Sequence, residues 1–343
     1  MVKIYTTDDP FGDATAEDIP ALIKQGLQWD RFEALDAVLI GYSAIWPHNF
    51  AVAPYLLAQT RRVGLIVAHR PGVMHPTTAA RYFATLDALS GGARLTVNLV
   101  SGSSFKDVVR EGDYEEKASR FARATEYVEV MKRAWREPGS FDHEGRFYRA
   151  DGVRHTLRPP CGHVPIFMGG DSEAAVEFGA LHADTYMLLG EPLAGTRERI
   201  EKVTAAAKKL GRAPAFSVSL RLFVADTDEA AWGKAKQARQ IILDAQGSNR
   251  FLRATATDKS VARERQLAHA KHELHDDCFW TGLVELLGGF ANTAALVGTP
   301  DRVMRSLRRY CDLGVGAFLL TTGAAGFWDA SLERFLLRMK QEL

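Results

Sequence analysis

The chain is poor in the features that would set it apart from an ordinary globular enzyme. It has three cysteines in 343 residues, Cys161, Cys278 and Cys311, and no Cys-x-x-Cys spacing. They are too scattered for a disulfide framework or a zinc ribbon, and read as free thiols of a reducing, cytoplasmic compartment. No apolar run reaches the roughly 18 residues of a membrane span. The opening MVKIYTTDDPFGD holds acidic residues and no apolar core, so no secretory signal is expected. Lys and Arg number 43 against 42 Asp and Glu, a net charge of +1, and no basic block stands out. Neither nucleic acid nor a membrane is therefore expected as a partner. Low-complexity tracts are absent. No Gly-x-Gly-x-x-Gly follows the first strand-like run, which argues against a dinucleotide-binding half.

Hydrophobic residues make up 46% and charged residues 25% of the chain, the balance of a globular protein with a sizeable core. Short β-like runs alternate with amphipathic helices along its whole length. Strands are predicted at 4–6, 37–40, 64–68, 95–100, 166–168, 186–189, 216–225 and 317–321, most of them followed by a helical pattern. Eight alternations predict a single α/β domain, a (β/α)8 TIM barrel, with a doubly wound open sheet as the competing architecture. Two segments break the repeat. Residues 140–155 read as a hairpin insertion, with Phe141, Phe147 and Tyr148 flanking a Glu-Gly turn. Residues 248–292 form a long insertion, charged in its first half and rich in aromatics and glycines in its second.

Several residues are candidates for chemistry. Ile166-Phe167-Met168-Gly169-Gly170-Asp171-Ser172 is strand, paired glycines, then helix start. Such a turn exposes amides to a phosphate, although ordinary βα turns use the same residues. Asn98 is the one amide in the apolar run Leu95–Val100 and needs hydrogen-bond partners. Ser101-Gly102-Ser103-Ser104 follows at the strand end where parallel α/β proteins bind ligands. Arg221 sits in the otherwise apolar Ser219–Phe223 and needs an anion or carbonyls. His48 and His69 lie at the expected mouth, as proton shuttles or as structural histidines. His272, His275, Asp276 and Asp277 mimic a metal cluster but lack a further ligand, so no metal is expected.

The stretch Arg70, Pro71, Pro76, Thr77, Ala79, Ala80, Arg81, Ala84, Thr85, Leu86, Asp87, Leu89, Ser90, Gly92, Asn98, Leu99, Val100, Gly102, Ser103 resembles the luciferase-like flavin monooxygenases, and among them the alkanesulfonate monooxygenase group. The resemblance implies a barrel that binds FMN, as FMNH2 delivered by a separate NAD(P)H:flavin reductase. It implies O2 as co-substrate, a small organic substrate, and a homodimer or homotetramer. It places the cofactor against Asn98, Ser101 and Gly102, with its phosphate at Gly169, Gly170, Asp171 and Ser172. The family's His and Tyr that reach this phosphate fall at Lys117 and Phe121, so that Lys117 is expected to offset the charge of Asp171. The resemblance places Arg221 facing the substrate or flavin, and with the candidate proton shuttles His48 and His69 it makes up the expected catalytic set. Residues 248–292 take the place of a mobile cover.

The substrate pocket departs from the sulfonate enzymes. The expected Cys after the second strand is missing from Ser43-Ala44-Ile45-Trp46, a His is replaced by Phe223, and Leu286-Leu287 precedes Gly288-Gly289 where an Arg is usual. The wall expected from Ala44, Trp46, Leu189, Phe223, Phe327 and Trp328 is less polar than in that group. Two alternatives stay open: an F420-dependent oxidoreductase on the same barrel, and a flavin-binding protein without catalysis.

Overall fold

The computed structural model describes residues 1–6, 17, 19–101, 105–245, 260–289, 293–321 and 330–343. The chain begins with β1 (Lys3–Thr6), α1 (Ile19–Gln28), β2 (Ala37–Ile40), α2 (Asn49–Gln59), β3 (Gly64–His69), α3 (Pro76–Leu89) and β4 (Leu95–Leu99). A short α4 (Phe105–Val109) and the long α5 (Lys117–Arg136) follow, then the antiparallel pair β5 (Phe141–Glu144) and β6 (Arg149–Val153). The second half runs β7 (Ile166–Gly169), α6 (Glu173–His182), β8 (Thr185–Leu189), α7 (Leu193–Lys208), β9 (Ala215–Val224) and α8 (Asp228–Ala245). The insertion contributes α9 (Val261–His269), β10 (Leu274–His275) and β11 (Phe279–Trp280). The chain ends with β12 (Ala295–Gly298), α10 (Pro300–Asp312), β13 (Val315–Thr321) and α11 (Ala330–Glu342).

Eight parallel strands close the barrel in the order β1-β2-β3-β4-β7-β8-β9-β13, and β13 returns to β1 through Lys3–Ala317 to Thr6–Leu320. The closed ring excludes the open-sheet alternative. Alternation along each strand sets the two faces. Val38, Ile40, Leu65, Val67, Leu95, Val97, Leu99, Ile166 and Met168 turn outward into one continuous core with the helices. Ala37, Leu39, Ile66, Phe167, Met187 and Tyr5 turn inward and pack as a separate cluster, a floor across the lumen. Tyr5 and Phe167 meet there at 5.7 Å between ring centroids.

Local signals explain the helices that carry the site. Pro76 opens α3 at a position whose amide needs no partner, and His75 caps it by accepting from Thr77 N. Ser172 caps α6 in the same way, accepting from Ala175 N at 3.3 Å.

Of the 248–292 insertion, residues 260–289 are among the described residues, and 248–259 and 290–292 lie outside them. β10 and β11 pair antiparallel, β11 pairs antiparallel with β12, and β12 lies parallel to residues 221–224 of β9. β12 itself goes unpredicted, because Ala-Leu-Val-Gly is four apolar residues without alternation.

Candidate active site

Above the lumen floor, toward the C-terminal strand ends, Asn98, Gly169, Leu189 and Arg221 are half-buried while their outward-facing neighbours are buried. Asn98 stands in register between Ala68 and Phe167. Arg221 lies in register with Thr321 and Ala295. Below it on the same face of β9, the hydroxyls of Ser217 and Ser219 are buried and make no hydrogen bond. A buried hydroxyl without a partner costs about 1–3 kcal/mol. Two such hydroxyls on the lumen face of β9 are groups that a bound polar ligand would satisfy. At Gly169 the neighbouring strand comes so close that a Cβ would overlap the Met187 carbonyl oxygen.

The charge of Asp171, which Lys117 was expected to offset, has its partner elsewhere in the fold. Its carboxylate is 3% exposed and ion-paired with Arg199 of α7, away from the end of α6. Gly170, at φ +151, accepts from Tyr186 Oη at 2.6 Å and from Arg199 Nη2 at 3.4 Å, so the turn is held from two sides. Burial pulls the Arg199 guanidinium down to about 9, with Arg265 adding to the effect. The first turn of α6 carries the exposed Glu173, and with Asp171 neutralised by Arg199 the helix end meets an anion with one opposing carboxylate instead of two.

Glu191, just after β8, is fully buried. Its Oε1 accepts from Arg265 Nε at 2.9 Å and its Oε2 from Arg265 Nη2 at 2.8 Å. His269 Nε2 lies at 3.6 Å and Arg199 Nη1 at 3.9 Å. Burial pushes this carboxyl up, but the hydrogen bonds from Arg265 and His269 outweigh it and hold it below the usual range. Gln266 donates to Gly190 O at 2.8 Å. One face of α9 is thus docked on the loop after β8. Asp276 accepts from Leu193 N at 2.6 Å, and Asp277 pairs with Arg302 at 2.8 Å. The acids of the metal-like cluster therefore serve as struts.

On the other side of the mouth, Arg70 is 2% exposed, lies 3.4 Å from Asp107 and is also paired with Glu111. Asp107 Oδ1 accepts from Ser43 Oγ at 2.8 Å and from Ala44 N at 3.0 Å. Arg120, 5% exposed, donates to Ser101 O at 3.0 Å and Glu115 O at 2.7 Å. Lys117, one turn earlier, is exposed. Phe121 is buried 6.1 Å from the Phe178 ring, between α5 and α6.

The structure brings Asn98, Ser101, Gly169, Gly170, Ser172, Leu189 and Arg221 to the C-terminal strand ends, with Ala44 and Trp46 half-buried on the loop after β2. It separates others from the lumen. His69 faces outward, fully buried among Phe50, Phe83 and Tyr127, with Nε2 2.6 Å from Tyr127 Oη. Burial, with Arg70 beside it, pulls His69 down to about 3, so it stays neutral, turned away from the lumen. His48 is exposed and caps α2 through Nδ1, 3.3 Å from Phe50 N. Phe223 packs against Trp280, 6.1 Å away, in a satellite core with α8. Gly102, Phe327 and Trp328 lie outside the described residues.

Arg70, Arg120, Glu191 and Arg199 are site-forming charges that sequence reasoning passed over. Arg199 had a legible signal: it lies beside the apolar stripe Leu193, Ile200, Val203, Ala207 of α7.

A closed parallel barrel with a polar, ligand-shaped mouth at its C-terminal face defines a TIM-barrel enzyme. The luciferase-like monooxygenase family model matches residues 10–317, and the chain belongs to that family. Similar solved structures include riboflavin lyase RcaE with modified FMN and riboflavin, at 19% identity over 100% of this chain and 92% of the other, TM-score 0.76. The long-chain alkane monooxygenase LadA matches at 17% identity over 99% and 91%, TM-score 0.73. An F420-dependent secondary alcohol dehydrogenase in complex with an F420–acetone adduct matches at 16% over 98% and 97%, TM-score 0.68. No described helix is long and apolar enough to cross a membrane.

Proposed function

We propose that this chain is the oxygenating component of a two-component flavin monooxygenase. It takes FMNH2 from a separate NAD(P)H:flavin reductase and uses O2 to oxygenate a small organic substrate. The observation that carries the reading is the lumen: unpartnered Ser217 and Ser219 hydroxyls, Asn98 and Arg221 above a packed floor, beside a neutralised glycine turn. Bound reduced FMN supplies the activation of O2. The chain's own residues bind, orient and shield. Asn98 offers a donor and an acceptor to a ring edge that needs both. Arg221 supplies a fixed positive charge where negative charge develops on oxygen. Gly170, Ser172 and the first turn of α6 receive the phosphate, with Arg120 holding the loop after β4 in place.

The test is anaerobic titration with FMNH2 and with reduced F420, followed by oxygen uptake. Micromolar FMNH2 binding together with substrate-dependent oxygen uptake supports the reading. Tight F420 binding without oxygen uptake favours the deazaflavin alternative, which the similarity to the F420-dependent dehydrogenase keeps in view. Tight flavin binding with no turnover favours a carrier.

A further inference from the structure

Three consecutive strand ends meet at one carboxylate. Ser43 and Ala44 follow β2, Arg70 follows β3, and Asp107 comes from α4, in the segment after β4. Around Asp107 stand a hydroxyl donor at 2.8 Å, a backbone amide at 3.0 Å and a buried guanidinium at 3.4 Å, with the more exposed Arg110, three residues on, at 4.0 Å. Two hydrogen-bond donors and a fixed cation are what a carboxylate needs when it leaves water. Arg70 is held independently of Asp107. Glu111 is also paired with it, Tyr42 Oη donates to Glu111 at 2.6 and 2.7 Å, and the Tyr42 ring lies 5.1 Å from the guanidinium carbon. The cradle therefore persists whether or not Asp107 occupies it. Asp107 itself is 14% exposed on a five-residue helix, so its side chain has a short path to solvent.

We propose that Ser43 Oγ, Ala44 N–H and Arg70 form a carboxylate-binding subsite at the rim of the lumen, filled by Asp107 as a built-in stand-in. A ligand carrying a carboxylate on a short aliphatic chain displaces Asp107 and lays its chain over the lumen beside Ala44. Because the site is occupied from within, wild-type affinity is reduced by the fraction of time Asp107 is in place. The same occupancy discriminates against anions too short to gain contacts in the lumen.

The inference rests on the lumen being the ligand entrance, but its test contains no flavin, so a failure here and a failure of the cofactor assignment are read separately. Wild type, Asp107→Ala, and Asp107→Ala combined with Ser43→Ala or with Arg70→Met are titrated with butyrate by calorimetry, with butyramide as the neutral control. Asp107→Ala is expected to bind butyrate about tenfold or more tighter than wild type. Either second substitution is expected to remove that gain, and butyramide is expected not to respond. Equal butyrate affinity in wild type and a folded Asp107→Ala overturns the proposal, as does a gain that survives Arg70→Met. If Asp107→Ala does not fold, Asp107→Asn keeps the acceptor while losing the charge. It is expected to bind butyrate severalfold tighter than wild type, and no gain there is equally fatal.

Discussion

Acid sensitivity near pH 5 should come from two histidines that the fold keeps neutral. His69 and His182 are both buried and both pulled down to about 3, by burial first and then by Arg70 for His69 and by Lys132 and Arg212 for His182. An unfolded histidine takes up a proton near pH 6.5. Below that pH the unfolded chain holds more protons than the native one, so stability is fully present above it and falls as the pH falls toward 3. At about pH 5 each histidine has lost about 1.5 pH units of linkage, or about 2 kcal/mol, and the pair about 4 kcal/mol. That is a large part of the 5–15 kcal/mol typical of a domain. The carboxylates held low, such as Glu191 and Glu126, respond only at lower pH, and His155, pulled down by burial and by Arg81, adds to the two buried histidines in this window. Urea unfolding followed by circular dichroism at about pH 7.5 and about pH 5 measures the loss. In His69→Gln the loss should fall by about 2 kcal/mol, even though the variant starts about 1 kcal/mol lower without the Tyr127 hydrogen bond. An identical loss in wild type and His69→Gln would refute the reasoning.

Arg221→Ala should lower oxygenation by about 100-fold or more while the melting temperature stays within a few degrees, and near-normal turnover would remove Arg221 from the mechanism. Gly169→Ala should perturb β7 and abolish flavin binding, because its Cβ overlaps the Met187 carbonyl; unchanged affinity would show that the strands can part. Arg120→Ala should weaken FMN binding more than Lys117→Ala, since the buried cation and not the exposed one holds Ser101. Glu191→Leu should cost about 3 kcal/mol, read by denaturation, because Arg199 and Arg265 lose their shared partner; a silent substitution would mean that Asp171 and Glu198 suffice.

The barrel was legible because strand and helix periods alternate cleanly and each strand's apolar run is bounded by turn residues. Asn98, Arg221 and the Gly169–Ser172 turn were legible because each breaks a local pattern: a polar group in an apolar strand, or two glycines before a cap. Position counting was less informative. Counting from Asn98 led to Lys117 and Phe121, but helical phase turns Phe121 into the interface with α6 and brings Arg120 inward. His69 looked like a mouth residue because it ends β3. The pleat turns it outward, since Ala68 is the inward residue of that pair. The partners of Asp171, Glu191 and Arg70 come from residues 28, 74 and 37 positions away. No local pattern encodes such distances.

β9 is ten residues long, against seven at most for any other barrel strand, and it pairs with three strands, β8, β13 and β12. Its first part seals the barrel between β8 and β13, and its last four residues carry β12, β11 and β10. Hinge motion between the barrel and the part of the insertion from Leu274 onward would have to tear a shared ladder. Any opening of the mouth on that side must be hinged elsewhere. Weakening β9 near Arg221 should loosen barrel closure and the annex in a single cooperative step, so amides on both sides of that seam should exchange with deuterium at one common rate.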